Sequence, residues 1–349
     1  MATKIFLHIP DAHACTVCRA IMPMMHLYSD LSNHGIHIIG DNKTLPKEEF
    51  DFYIFNRLIR PSSYLEIVDP LLKQGKQFVW QCDDDLWQIP IWNPAYKLLQ
   101  QEDLDATKFY ISQCKALWTS TTSLAKVIGS EKVKVLPNLI DVNQFNDNII
   151  YDEEGPIKIV WCGSASHDKD FDILVEPIIK LLEKYKNKIA MIFWGYLPTG
   201  FANFERLPGF SYANLVPKYE NIFFGEWFVN REYFHKLRGL KPDIALMPLD
   251  DCGFNYSKSN LKFLEMSMSG AACVASDLPP YDSIRHKETG FKVKTSQEWY
   301  DCLEELIENK DYRQKINANA REHIRQEYCW QCKSREIWLQ AFLDLLPTN

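Results

Sequence analysis

Short apolar runs, each closed by glycine, proline or a polar cluster, alternate along most of the chain with stretches that place apolar residues three and four apart. That alternation is the strongest constraint on the fold. Strand, helix and strand in succession close most readily into a parallel sheet with helices on both faces. The first half offers apolar runs at 4–9, 36–39, 52–55, 77–82, 116–120 and 133–136. Helical spacing occupies 15–31, through Ala20, Met24 and Leu27, and 62–74, between Pro61 and Gly75. A polar, acidic stretch at 146–156 reads as an interdomain linker. The pattern then restarts, with strands at 158–161, 189–194, 222–224, 244–247, 271–275 and 289–293 and helices at 171–185 and 231–237. From 297 onward all the spacing is helical, at 297–309, 313–328 and 330–345. The expected class is α/β, with two Rossmann-like domains facing a cleft.

At 349 residues the chain can form two domains of ordinary size, each with its own core. A net charge of −7 argues against a surface coated with basic groups for duplex DNA, though it leaves room for a local basic cleft. No run of about 20 apolar residues occurs and the amino terminus reads as a first strand, so a cytoplasmic protein without a membrane span is expected. Ten cysteines in a chain of this length do not make a disulfide scaffold. Two C-x-x-C pairs, Cys15/Cys18 and Cys329/Cys332, would form a four-cysteine zinc site only if the chain ends met. Reduced cysteines packed in apparently helical surroundings are the simpler reading, and no metal is expected.

In parallel sheets of this kind, ligands bind beyond the carboxyl ends of the strands. No G-x-G-x-x-G or G-x-x-x-x-G-K-[ST] follows any strand, which leaves little support for a dinucleotide or P-loop site. The stretch 256–277, YSKSNLKFLEMSMSGAACVASD, is the most informative one. Its polar opening, Ser257, Lys258, Ser259 and Asn260, leads into a helix with Leu261, Leu264 and Met268 inward, and Gly270 is placed to end it. A basic loop opening a helix suits a diphosphate, because the first-turn N–H groups are unpaired and carry partial positive charge. Lys262 lies in that first turn and Glu265 one turn on, where a carboxylate can reach sugar hydroxyls. An ordinary amphipathic helix with a solvated polar face explains the same pattern.

Several segments in order resemble the retaining glycosyltransferases of the GT-B fold (the family 4-like group, with bacterial and phage members). They are VKVLPNLIDVNQF at 133–145, KIVWCGSASHDKDFDILVEPIIKLL at 158–182, LEMSMSGAACVASD at 264–277 with Tyr281 and TGFKV after it, and AREHIRQEYCWQCKSREIWLQAF at 320–342. The resemblance covers nearly all of the second half and the junction. It implies residues 1–147 as an acceptor domain, 148–328 as a nucleotide-sugar domain, and 329–349 as a helix returning to the first domain. Glu265 matches the second glutamate of the family's E-x7-E motif, which binds donor ribose hydroxyls; Ser257 stands where the first glutamate belongs. Gly163 matches the glycine of the strand-to-helix loop and Lys169 the diphosphate lysine. Ser164 stands where an arginine belongs, a loss that Lys258 or Lys262 could restore.

Around that frame, His167 is a candidate for contact with the diphosphate or sugar, and Trp227 with Phe228 for flanking the base; a surface histidine and core aromatics are the plainer readings. Asp83, Asp84 and Asp85 follow a buried strand in a DDxLW-x-IP run, similar to runs in some bacterial and phage members of the fold. Adjacent carboxylates repel, so one can be held protonated. Acceptor contact, base work on the acceptor hydroxyl, metal binding and helix capping all compete there. Asp84 and Asp85, with His167, are the catalytic candidates. Asp83, His13 and Arg19 are candidates on the acceptor side. The resemblance implies transfer with retention, without a metal or cofactor, from a nucleotide-diphosphate sugar to a glycan or small-molecule hydroxyl. A hydroxylated base in DNA is the alternative acceptor, and a non-catalytic sugar-nucleotide-binding module the alternative function.

Overall fold

The computed structural model describes residues 2–9, 14–41, 49–151, 154–201, 210–213 and 228–346, with 210–213 and 228–232 described by backbone alone. The expected α/β class is found. Two six-stranded sheets account for every strand among these residues. The first contains β1 (Thr3–His8), β2 (Ile36–Asp41), β3 (Phe52–Asn56), β4 (Gln77–Cys82), β5 (Ala116–Thr119) and β6 (Val133–Val135), in the order β2-β1-β3-β4-β5-β6. The second contains β7 (Ile157–Cys162), β8 (Ile189–Trp194), β9 (Phe210–Ala213), β10 (Ile244–Met247), β11 (Ala272–Ser276) and β12 (Phe291–Val293), in the order β12-β11-β10-β7-β8-β9. Every pairing is parallel. Renumbered from its own first strand, the second sheet has the 3-2-1-4-5-6 order of nucleotide-binding folds, with its reversal between β7 and β10. The first sheet reverses between β1 and β3.

Strand composition explains the layering. Alternate residues of the first sheet, such as Ile5, Leu7, Ile54, Val79 and Trp118, pack with Ala20, Leu27, Trp338 and Phe342 on one face. Phe6, Tyr53, Phe55, Phe78 and Trp80 pack with Val68, Tyr110 and Leu124 on the other. Ile159, Trp161 and Phe193 of the second sheet meet Ile178, Leu181 and Trp299, while Val160, Ala245 and Met247 meet Phe263, Leu264 and Ile324. Apolar residues on both faces are what a parallel sheet buried between helices requires.

The structure departs from the sequence reading in several elements. The helix Gln101–Gln113 is new; its apolar periodicity is weak, and a capping box between Gln100 and Asp103 starts it. The helix Thr122–Ile128 is also new, begun by Thr121 and ended by Gly129 at φ +63°. Strand β9 was not expected, and the run at 222–224 lies outside the described residues. The first helix carries a π turn, Val17–Ile21. The last helix is confined to Arg335–Leu343, so Cys329 and Cys332 sit in the turn before it. Among the described residues, the two C-x-x-C pairs do not form a joint metal-ligand cluster.

The helix Arg335–Leu343 packs on the first sheet. Trp338 is fully buried against Trp118 and Trp330, donates through Nε1 to the Pro137 carbonyl at 2.8 Å, and lies under the Arg19 guanidinium at 4.6 Å. Replacing Trp338 with Ala should cost about 3–5 kcal/mol. A urea titration followed by circular dichroism will show this as a lower midpoint.

Candidate functional site

The loops after the strands of the two sheets face each other. Thr121, after β5, donates through Oγ1 to the Ser257 carbonyl at 2.9 Å, and Asn138, after β6, donates through Nδ2 to Ser259 Oγ at 3.0 Å. Asp84, after β4, lies 3.6 Å from Lys258 Nζ. The cleft is therefore lined by the carboxyl ends of both sheets, where ligands of such folds bind.

On the second-sheet side the organising element is the helix Leu261–Met268, which begins at Asn260 and is followed by Gly270 at φ +113° and β11. Its buried face is Phe263, Leu264, Met266 and Met268, so Lys262 and Glu265 are left facing the crevice. Lys262 Nζ lies 5.2 Å over the Trp161 ring. Gly163 is required for that approach: a Cβ there would come within 2.5 Å of the Trp161 ring and 3.0 Å of Lys262 Nζ. Burial, then the charge of Lys258, pulls the Lys262 ammonium below its ordinary value, while Cys162, Asp170 and Glu265 oppose this. Lys258 lies 4.4 Å over Phe254. The two lysines and the start of the helix give this wall a cluster of cationic groups in a protein that is acidic overall.

Glu265 accepts from Tyr233 Oη at 2.9 Å, and Tyr233 stacks on Trp194 with ring centroids 5.2 Å apart. Burial pushes the Glu265 carboxyl up to about 7, against the pull of Tyr233 and Lys262. His167 sits 2.6 Å from Asp170 through Nδ1. A carboxylate only accepts, so Nδ1 carries the proton and Nε2 keeps its lone pair. Burial and the neighbouring Lys262 lower the His167 pKa to about 4, so the ring is neutral near pH 7. Asp170, itself buried, also accepts from the Asp250 N–H at 2.8 Å and Asn255 Nδ2 at 2.9 Å, tying the loop after β7 to the loop after β10. Ser257 is buried, and its Oγ has no hydrogen-bond partner among the described residues.

The first-sheet side is mostly carboxylate. Asp83 is buried and lies 3.6 Å from Arg57 Nε; burial and the Asp84 charge raise its pKa against the pull of Arg57. Burial holds the Cys15 thiol well above its ordinary value, as a donor to Asp83. Cys15 Sγ and oxygens of Asp83 and Asp84 lie within 4.8 Å of one another, a spacing an ion could use. Arg57 and Lys258, each 3.6 Å from one carboxylate, already counter that charge.

Several candidate residues are engaged with other partners. Asp85 is fully buried, and its oxygens accept from the Trp87 N–H at 3.0 Å and Gln88 Nε2 at 2.6 Å. It braces a loop and is not free for proton transfer. The Gln88 it holds lies where a side chain at Gly253 would have to be. Arg19 is buried beneath the junction, donating to the Leu136 carbonyl and to Asn138 Oδ1. Lys169 is exposed and paired with Asp172 at 2.7 Å, and exposed Ser164 meets Ser166. Asn260 Nδ2 donates to Ser283 Oγ at 3.0 Å. His13 and Trp227 lie outside the described residues, as does the Phe228 side chain. Arg57, Tyr233 and Asp170 were missed. Only Asp170, inside the HDKD loop after a strand, had a local signal.

No protein-family model matches the chain, and no curated protein sequence matches it. Solved structures do. HepE of Anabaena, in complex with UDP and glucose, superposes with a TM-score of 0.65 at 12% identity, covering 99% of both chains. The fold is GT-B. Sucrose-phosphate synthase of Thermosynechococcus elongatus gives 0.63 at 11% identity and 98% of both chains. An α-glucosyltransferase in complex with UDP-glucose and DNA containing an abasic site gives 0.62 at 11% identity and 99% of both chains. These GT-B neighbours share the architecture across nearly the whole of this chain. Among its described residues, no helix is long and apolar enough to cross a membrane.

The Glu265 pKa fixes a sign. Folding raises it from an ordinary 4.5 to about 7, so the native state holds a proton that the unfolded chain releases. Its contribution is present below pH 4.5 and is lost as pH rises through 7. Glu265→Gln should therefore resist urea better than the parent at pH 8, by up to about 3 kcal/mol, with a much smaller difference at pH 5. Paired urea titrations at the two pH values read this directly.

Proposed function

We propose that the chain is a glycosyltransferase that moves a sugar from a nucleotide-diphosphate sugar to an acceptor hydroxyl. One observation carries the reading: Lys258 and Lys262 converge with Glu265 at the strand-order reversal of the second sheet, in a GT-B fold. An electropositive wall beside a carboxylate suits a ligand with a diphosphate at one end and hydroxyls at the other.

The donor lies along the second-sheet wall. Lys258, Lys262 and the first turn of Leu261–Met268 stabilise the departing diphosphate, the largest charge to develop in the reaction. Glu265, oriented by Tyr233, receives donor hydroxyls, and Nε2 of neutral His167 is an acceptor for a further one. The acceptor enters from the first-sheet side, beside Asp84 and Asp83. Transfer with retention and without a metal fits the fold analogy and the occupation of Asp83 and Asp84 by Arg57 and Lys258. No cofactor is needed for such a step. The DNA-bound α-glucosyltransferase of the same fold supports a second acceptor reading, a base in DNA, against which the acidic balance of the chain weighs. A saccharide or small-molecule acceptor is favoured.

Lys262→Ala should lower the release of nucleoside diphosphate from a nucleotide sugar by roughly 10²–10³-fold, with an essentially unchanged melting temperature. Near-parental turnover would remove this assignment. Duplex binding that weakens steeply with salt would move the acceptor reading to DNA.

A further inference from the structure

Two adjacent carboxylates on the first-sheet side are neutralised in different ways. Asp83 is paired with Arg57, a residue at the end of β3 in the same sheet. The Arg57 backbone is clamped at φ +62°: its N–H donates to the Gln81 carbonyl at 2.8 Å, and its carbonyl accepts from Trp80 Nε1 at 2.6 Å. A non-glycine residue keeps such a φ only where its surroundings over-determine it, so the backbone that carries this cation is fixed. Asp84 is paired across the cleft. Its cation is Lys258, on the loop that leads into Leu261–Met268.

At 3.6 Å the Asp84–Lys258 pair, like the Asp83–Arg57 pair, is longer than a charge-assisted hydrogen bond, which lies near 2.7–2.9 Å, so the two differ in the cation and its element and not in length. Lysine is a point charge on a flexible four-carbon stem, free to turn to a better partner. A diphosphate carries more charge and more acceptor oxygens than one carboxylate. Lys258 acts electrostatically on both Lys262 and His167, which places it against the donor wall as well as against Asp84.

The geometry points to an exchange of partners: an arriving nucleoside diphosphate takes Lys258 from Asp84, and Asp84 is released to receive an acceptor hydroxyl. The inference rests on the function proposed above and adds a coupling between the two substrates. Asp83 does not take part, because Arg57 stays with it. Asp84 thus competes with the donor for Lys258 before the exchange and touches the acceptor after it. The coupling is reciprocal, so a hydroxyl held by Asp84 also favours Lys258 on the diphosphate.

Calorimetric titration of the full chain with UDP, ADP, GDP, CDP and dTDP identifies the tightest of the five. That nucleotide is then titrated into Asp84→Asn, Lys258→Ala and the double variant. Asp84→Asn should bind it roughly two- to fivefold tighter than the parent, the range of an ion pair that solvent still reaches. In the Lys258→Ala background the same change should have no effect. Unchanged or weaker binding by Asp84→Asn overturns the exchange, as does equal tightening without Lys258, which would mark a long-range charge effect. Asp84→Ser, judged by the same cycle, serves if the Asn variant does not fold. If the parent binds none of the five, the donor reading and the exchange fall together; binding without the coupling overturns the exchange alone.

Discussion

The chain passes between the two sheets twice, and both passages run side by side. The Ile140 N–H donates to the Tyr328 carbonyl at 3.1 Å, and the Trp330 N–H returns to the Ile140 carbonyl at 3.0 Å. Gln331 adds a bond to Asp141 at 2.7 Å, and His26 stacks on Trp330 with its ring only 3° from parallel. Arg19 and Trp338 fasten this junction to the first sheet through the carbonyls of Leu136 and Pro137. With the passages fixed together, the two sheets can face each other in only a narrow range of ways. Because all their strands are parallel, what lines the cleft is whatever follows the strand ends. The buried Arg19 is therefore a determinant of the cleft although it is not in it.

Burial then sets the chemistry of the cleft. Glu265, Asp83 and Cys15 all hold protons more tightly than in water, and His167 and Lys262 hold them less tightly. Each shift has the sign desolvation demands, since a buried charge loses its hydration. What distinguishes the groups is the partner each has been given. Glu265 has the Tyr233 hydroxyl, Asp83 has Arg57, and His167 has Asp170. Asp170 joins two loops at once, so the His167 orientation and the start of the Gly253–Tyr256 turn of helix are set by one carboxylate.

Much of this was legible in the sequence, for reasons that differ by element. Strands β4, β8 and β10 could be read to the residue because each is a continuous apolar run cut off by glycine, proline or charge. The Gln101–Gln113 helix was hidden because its buried residues are Asp103, Thr107 and Tyr110, two of them without an apolar side chain. Gly163, Lys262 and Glu265 were singled out by position relative to strands, and the structure sets them beside Trp161 and Tyr233. Spacing along a loop does not tell which way a side chain turns, and Lys169 is found exposed and paired with Asp172. Asp85 misled for a related reason, since three aspartates in a row look alike until one is seen holding Trp87 and Gln88. Arg57 and Tyr233 act across tertiary contacts, which no local pattern records.

The two walls of the cleft carry opposite signs, and that asymmetry suits the proposed reaction better than any single residue does. The second-sheet wall presents Lys258 and Lys262 with a helix start behind them, while the first-sheet wall presents Asp83 and Asp84. In sugar transfer, negative charge moves onto the departing diphosphate and a proton leaves the acceptor hydroxyl. Once the donor is bound, cations on one side and carboxylates on the other meet those two changes without further reorganisation at the moment of reaction. The resting pairs keep the arrangement from being too costly when empty, because like charges on each wall would otherwise repel across a desolvated gap. Among the described residues, the Lys258–Asp84 pair is where the two walls neutralise each other directly. Separating that pair turns a self-compensated cleft into a polarised one, and a diphosphate is a ligand with charge enough to do it.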